Sequence, residues 1–369
     1  MNQQQNHSTA KLSKCALADN ARFFRSLLKP PTRLCAVIKA NAYGHGIQFA
    51  IDNLINHVDY FAVATNHEAI EAHSYTKGNK PILVLGELST YELTKCLRLS
   101  IEFSVCSLSS LRLLHKAAMH TCTKANVHIK INTGMNRFGV STYAEFKKML
   151  GFILGRPQLN LRGVYTHFGS GDLPSHRRTA QQADIFKKYL RLIPPNLSPI
   201  IHAANTDTTL NFPHLHFDMV RVGIGLYGYA SDSRPELHPV LSLSSKIIQL
   251  QKPKSSTYIG YSNNIASNTF TKIGIIPLGY ADGISRALSN KGVFIVNGKF
   301  TPIIGSVCMD SCIVDLSHVS GAKIGTTATF IGSNLDLAQT ADDIAIAADT
   351  IPYEILTGLN HSRISFTQE

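Results

Sequence analysis

The sequence predicts an α/β chain, with an N-terminal (β/α)8 barrel followed by a mainly β domain. Three observations carry this. From about residue 12 to residue 235, eight short β-rich apolar runs alternate with longer stretches of helical spacing. After Pro239 the texture changes to short β-like runs broken by Gly, Asn and Ser. The length, 369 residues, favours about two domains. Eight strand–helix units in that span suit a closed barrel better than an open sheet.

Residues 1–11 form a polar N-terminal segment, the first ten of them expected to be loose. The barrel domain then covers 12–237. Its strands are expected at 35–39, 60–64, 82–85, 102–105, 127–131, 163–167, 200–202 and 219–222. Helical spacing is clearest over 107–119 and 179–192. Pro235 and Pro239 mark the junction. The β domain, 238–369, has candidate strands at 241–249, 272–277, 292–296, 303–306, 311–315 and 326–331, and one helical pattern at 340–347.

Hydrophobic residues at 44% and charged residues at 16% describe an ordinary globular chain. No apolar run approaches the roughly 18 residues of a membrane span. The N-terminus has neither the basic nor the apolar part of a signal peptide, so the cytoplasm is expected. The net charge of +12 comes from lysines and arginines dispersed along the chain, with no aromatic-basic module. It reads as a solubility property, and no nucleic-acid or membrane partner is expected. Seven cysteines without a CxxC pair read as free thiols. Cys308 and Cys312, like His214 and His216, lack further ligands at metal spacing, so no metal is expected.

The most informative stretch is Leu34-Cys-Ala-Val-Ile-Lys39-Ala-Asn-Ala-Tyr43-Gly-His-Gly46. Burial at a strand end favours the neutral amine of Lys39, and a neutral amine can form a Schiff base with a carbonyl cofactor such as pyridoxal 5'-phosphate. Tyr43 offers a hydroxyl, and Gly44 and Gly46 admit close backbone approach. Taken singly, such a lysine more often snorkels out of a strand end. Three further segments fall at the carboxyl ends of strands, where barrel chemistry sits. Asn132-Thr-Gly-Met-Asn-Arg137 delivers an arginine suited to paired bonds with a carboxylate, though alone it reads as a surface residue. His167 ends the sixth strand, where a lone histidine is usually a satisfied core residue. Arg221-Val-Gly223-Ile224-Gly225 closes the eighth; backbone N–H groups of Gly223 and Ile224, with Thr206 after the seventh strand, would make a phosphate cradle.

Together these segments resemble the bacterial alanine racemases, and the resemblance spans nearly the whole chain. It implies that Lys39 holds pyridoxal phosphate covalently and that Tyr43, Asn205, Thr206, Gly223, Ile224 and Tyr353 surround its phosphate. It implies that Arg221 faces the pyridine nitrogen and is hydrogen-bonded to His167. An arginine stays protonated, so the ring is a weaker electron sink, which favours racemisation over aminotransfer. Racemisation needs an acid–base group on each face of the reacting carbon. Lys39 supplies one; the resemblance assigns the other to Tyr261, 19 residues before Tyr280 of Gly279-Tyr-Ala-Asp-Gly283. Tyr258 is a nearby decoy. The resemblance further implies substrate-carboxylate binding by Arg137 and the Met309 backbone, a pocket narrowed by Tyr353, a carbamylated Lys130 orienting Arg137, and a head-to-tail homodimer with shared sites. L-alanine and D-alanine are the implied substrates, with D-alanine supplied to peptidoglycan.

Three positions depart from the family's pattern: Ser306 stands where an arginine is common, Asn132 for an aspartate and Ser262 for a glycine. A broader-specificity racemase on the same scaffold is the nearest alternative. A basic amino-acid decarboxylase of this architecture would use an acidic partner for the ring nitrogen, against Arg221. A non-catalytic pyridoxal phosphate carrier would lack the β domain.

Overall fold

The computed structural model describes residues 7–171, 177–231, 234, 236–254, 258–261 and 270–369. Pro235 and Ser262 therefore lie outside the described residues. The chain divides into two compact units, Leu17–His238 and a second made of the described residues up to Ala16 with Pro239–Glu369.

The first strand, β1 (Thr9–Leu12), belongs to that second unit. It pairs antiparallel with β10 and parallel with β18, whose ranges are given below. The expectation of a loose start is corrected here for Thr9 and Ala10. Ala10 is fully buried and Leu12 nearly so, and this alternation lets a polar tetrapeptide fill a sheet position.

In the other unit, β2 (Arg33–Val37), β3 (Tyr60–Val63), β4 (Ile82–Val84), β5 (Glu102–Val105), β6 (Ala125–Lys130), β7 (Leu159–Tyr165), β8 (Ile200–His202) and β9 (Met219–Val222) form a closed barrel in chain order. Closure comes from parallel pairing of β2 with β9, Arg33 to Met219 through Ala36 to Val222. All eight anticipated strands are present, with shifted ends. Strands buried on both faces read as continuous apolar runs, and this made them visible. Helices follow the strands, several with side-chain caps. Thr65 caps Asn66–Thr76 in a reciprocal box with Glu68, and Thr142 caps Tyr143–Leu154.

The second unit holds β10 (Leu241–Lys246), β11 (Gln249–Gln251), β12 (Ile273–Ile276), β13 (Val293–Val296), β14 (Lys299–Pro302), β15 (Cys312–Asp315), β16 (Thr327–Asn334), β17 (Leu337–Gln339) and β18 (Ser365–Gln368). One sheet runs β14-β13-β16-β10-β1-β18, with β17 on β16; a smaller one runs β11-β12-β15. Residues 303–306, expected as a strand, contribute only an isolated bridge from Ile303 to Val314. Gly305 adopts φ +77°, which ends the extended run. All seven cysteines are free thiols. Among the described residues no helix is long and apolar enough to cross a membrane.

Candidate active site

The barrel's carboxyl-end mouth is built first by an unusual turn. β2 stops at Val37, so Lys39 is not on the strand but just beyond it. Ala40, Asn41, Ala42 and Tyr43 then all take left-handed conformations, with φ between 51° and 54°. For non-glycine residues this costs roughly 1–2 kcal/mol each. Local bonds and one distant carboxylate hold it. Ala40 N–H donates to Glu68 Oε1 at 2.7 Å, Ile47 N–H to the Asn41 side chain at 2.9 Å, and Gly46 N–H to the Asn41 carbonyl at 2.9 Å. Glu68 Oε2 also accepts from Ala64 and Thr65. The helix cap thus doubles as the clasp of the lysine turn. Burial, then the nearby Arg137 guanidinium, hold the Lys39 amine below its ordinary pKa, against the opposing pull of Glu68.

The Lys39 turn ends on Tyr43, which is 6% exposed and packs on Tyr227 at 5.2 Å. A Cβ on Gly223 would run into the Tyr43 hydroxyl, and one on Gly225 would lie 2.7 Å from Thr206 Cγ2. The glycines are therefore a requirement of close packing here. Thr206 Oγ1 accepts from Gly223 N–H at 3.3 Å and Gly225 N–H at 3.4 Å. Asn205 caps the short helix Thr206–Asn211 through Thr208 N–H. Tyr43, Asn205, Thr206, Gly223 and Ile224 thus belong to one tightly packed region of the barrel unit.

Arg221 lies on β9, 3% exposed. It donates from Nη1 to His202 Nδ1 at 2.9 Å, and from Nη2 to the Thr166 and Ala203 carbonyls at 2.9 and 3.1 Å and to His167 Nδ1 at 3.3 Å. Among the described residues no carboxylate pairs with it directly. Among the described residues its Nε–H has no partner, which fits a group bringing a neutral acceptor such as a pyridine nitrogen. Burial, then Arg221 and Arg137, hold His167 well below the usual histidine range, so it can accept from Arg221 as a neutral ring.

Lys130, at the end of β6, is 6% exposed, its ammonium 5.1 Å from the Phe138 ring and 5.5 Å from that of Tyr165. Burial brings its pKa down to about 8. Arg137 is exposed on the following loop. Asn132 organises that loop, accepting from Gly134 and Asn136 N–H at 3.1 and 3.0 Å and donating to Asn136 and Ser141. An asparagine therefore does what the turn requires at this departure from the family's pattern.

Tyr261, Met309 and Tyr353 lie on the other unit, exposed by 70%, 53% and 38%. Ile259, buried with Ile273 and Ile304, anchors the chain just before Tyr261. The Met309 loop is stitched to the Gly279–Gly283 turn by Tyr280 N–H to Cys308 O and Ala281 N–H to Met309 O, both 3.0 Å. Asn360 bonds the carbonyls of Ala281 and Asp282, fixing the chain just after the Tyr353 helix, Pro352–Thr357.

Comparison with known proteins identifies the family and the fold. A family model described as the N-terminal domain of alanine racemase matches residues 12–231, and its C-terminal counterpart matches 240–366. This chain belongs to the alanine racemase family. An alanine racemase 2 of Caldanaerobacter subterraneus is 32% identical over 352 residues, covering 94% of this chain and 90% of its own length. The Bartonella henselae alanine racemase, solved with covalently bound pyridoxal phosphate, superposes with a TM-score of 0.89 at 26% identity, covering 98% of this chain and 99% of that one. The Bacillus anthracis enzyme with bound L-Ala-P gives 0.91 at 28%, covering 99% and 95%.

For this family member, sequence reasoning passed over four residues that the fold assembles. Glu68 is the clasp described above. The others form a buried chain behind Arg221: His202 Nε2 meets His128 Nδ1 at 2.9 Å, and His128 Nε2 meets Glu102 Oε2 at 2.7 Å. Since arginine only donates, His202 Nδ1 must accept, and each ring then passes a proton-bearing Nε2 toward Glu102. A carboxylate thus stands two imidazoles from the buried guanidinium, and Glu102 also pairs with Arg162 Nε at 3.3 Å. Gly163 leaves room for the His128 ring, whose Cγ would be 3.0 Å from a Cβ there. The available signal was a buried polar residue on each of three barrel strands, Glu102, His128 and His202.

Proposed function

We propose that this chain interconverts L-alanine and D-alanine with pyridoxal 5'-phosphate, using Lys39 and Tyr261 as the two acid–base groups. The observation that carries the reading is Arg221, a buried guanidinium with an unclaimed Nε–H and no carboxylate beside it, in a member of this family. The bound cofactor would supply an electron sink that acidifies the α-hydrogen of an amino acid. Lys39 Nζ, with its amine held below the ordinary pKa, takes or returns that proton at Cα on one face. Tyr261 Oη serves the opposite face, from the second copy in a head-to-tail homodimer. Arg221 would hold the ring nitrogen by a hydrogen bond while keeping its own proton, which favours return of the proton to the same carbon. Tyr43, Asn205, Thr206, Tyr353 and the N–H groups of Gly223 and Ile224 would hold the phosphate. Arg137 and the Met309 N–H orient the substrate carboxylate, and a carbamate on Lys130 orients Arg137. Tyr353 narrows the pocket toward a methyl side chain. The product would serve peptidoglycan synthesis in the cytoplasm.

The test is D-alanine formation from L-alanine by the purified protein with pyridoxal phosphate, with serine, lysine and arginine as competitors. Alanine-selective turnover supports the reading. Preference for the longer amino acids, or cofactor binding without turnover, overturns it.

A further inference from the structure

The lysines and arginines that look dispersed in the sequence are gathered by the fold. Residues 106–198 hold fourteen Lys and Arg against three Asp and Glu, a net +11, so this quarter of the chain carries nearly all of the +12. The segment contributes three barrel helices, Leu108–Thr121, Tyr143–Leu154 and Arg177–Leu190. They lie side by side. His115 on the first meets Phe152 on the second at 5.7 Å, and Tyr189 on the third meets Tyr143 and Phe146 on the second at 4.5 and 5.5 Å.

Each helix shows a basic pair to solvent: Arg112 with Lys116, Lys147 with Lys148, and Lys187 with Lys188. Among the described residues, none of these six takes part in an ion pair within 4.0 Å. The same helices carry exposed apolar side chains: Met119 and Leu154 at 51%, Tyr143 at 44% and Ile185 at 37%. Unpaired like charges on neighbouring helices repel one another, so the face is held at an electrostatic cost unless an anionic surface meets it.

We propose that this three-helix face docks reversibly on an anionic lipid bilayer. Cationic pairs on helices that also expose apolar and tyrosine side chains are what a headgroup layer over acyl chains recognises. Grouped helix sides, with no recognition helix end and no base-stacking platform, fit that layer better than a nucleic-acid groove. Binding rests on charge for its specificity and on the apolar side chains for its depth, so it weakens steeply with salt.

The full-length protein with its cofactor is floated with vesicles of phosphatidylcholine alone or mixed with phosphatidylglycerol, across a salt series. The expected result is capture by the anionic vesicles at low salt, little capture by neutral ones, and release as salt rises. Lys147→Glu with Lys148→Glu, and separately Lys187→Glu with Lys188→Glu, should each weaken capture at least tenfold with the melting temperature and racemase turnover unchanged. Lys323→Glu, exposed on the other unit, should leave capture as it is. No capture at low salt, equal capture by neutral vesicles, or charge reversals without effect would overturn the proposal. So would binding to a DNA duplex that exceeds vesicle binding and is lost in the same variants.

Discussion

A side chain on Gly223 and the hydroxyl of Tyr43 would compete for one place: a Cβ there would stand 2.9 Å from the tyrosine's Cζ. Gly223→Ala must therefore push Tyr43 aside or shift β9's exit. Overpacking of this kind costs about 1–3 kcal/mol. We expect the melting temperature to fall by several degrees and the affinity for pyridoxal phosphate to weaken more than tenfold, as read by absorbance titration. Unchanged affinity would remove Gly223 from the phosphate cradle.

Glu68→Ala takes an acceptor from three backbone N–H groups at once, those of Ala40, Ala64 and Thr65. Ala64 N–H is half-buried, and leaving such a donor unmade costs about 1–3 kcal/mol, whereas the exposed Ala40 and Thr65 N–H groups can turn to water. The left-handed turn should loosen, with amide exchange at Ala40–Tyr43 accelerating by at least tenfold while exchange in distant β16 is unaltered. If exchange in the turn stays slow, the local bonds alone hold it.

Glu102→Gln keeps an acceptor for His128 but removes the charge that ends the chain behind Arg221. Turnover should fall by about tenfold or more with KM little changed, and the absorbance band of bound cofactor should shift. Nitrogen NMR would show His128 and His202 leaving their present tautomers. A variant with wild-type tautomers and turnover would reduce the chain to packing.

Two buried histidines, His202 and His167, set a pH dependence. Burial, then the Arg221 charge, hold both His202 and His167 well below 6.5 in the folded protein. Below that pH the unfolded chain takes up protons that the native state refuses. Stability therefore falls as pH drops below about 6.5, by up to about 1.4 kcal/mol per pH unit for each group, until the folded pKa is reached. Melting followed from pH 7.5 to 5 should show this slope, and His202→Asn should flatten it.

If Tyr261 serves one face only, Tyr261→Phe slows α-deuterium exchange from L-alanine far more than from D-alanine. Equal slowing in both directions would contradict the two-group assignment.

The barrel could be read in the sequence because its strands are short, largely apolar runs, as buried parallel strands demand. The Lys39, Arg137, His167 and Arg221 segments were legible for a related reason: each lies in or just after such a run. The left-handed turn was not, since Ala40, Asn41 and Ala42 carry no local preference strong enough to impose it, and the residue that secures it is Glu68. The Glu102–His128–His202 chain escaped because its members stand up to 100 positions apart and make sense only when β5, β6 and β8 are brought round one barrel. β1 was hidden by its polarity, since only two of its four side chains face inward.

The turn at Ala40–Tyr43 also limits what can be borrowed from this molecule. Residues 34–46 are its most recognisable stretch, yet excised they would rewind to the right-handed form, and the lysine would point elsewhere. Anyone grafting this motif onto another barrel must bring the helix Asn66–Thr76 with it, because the address of the amine is written at Glu68.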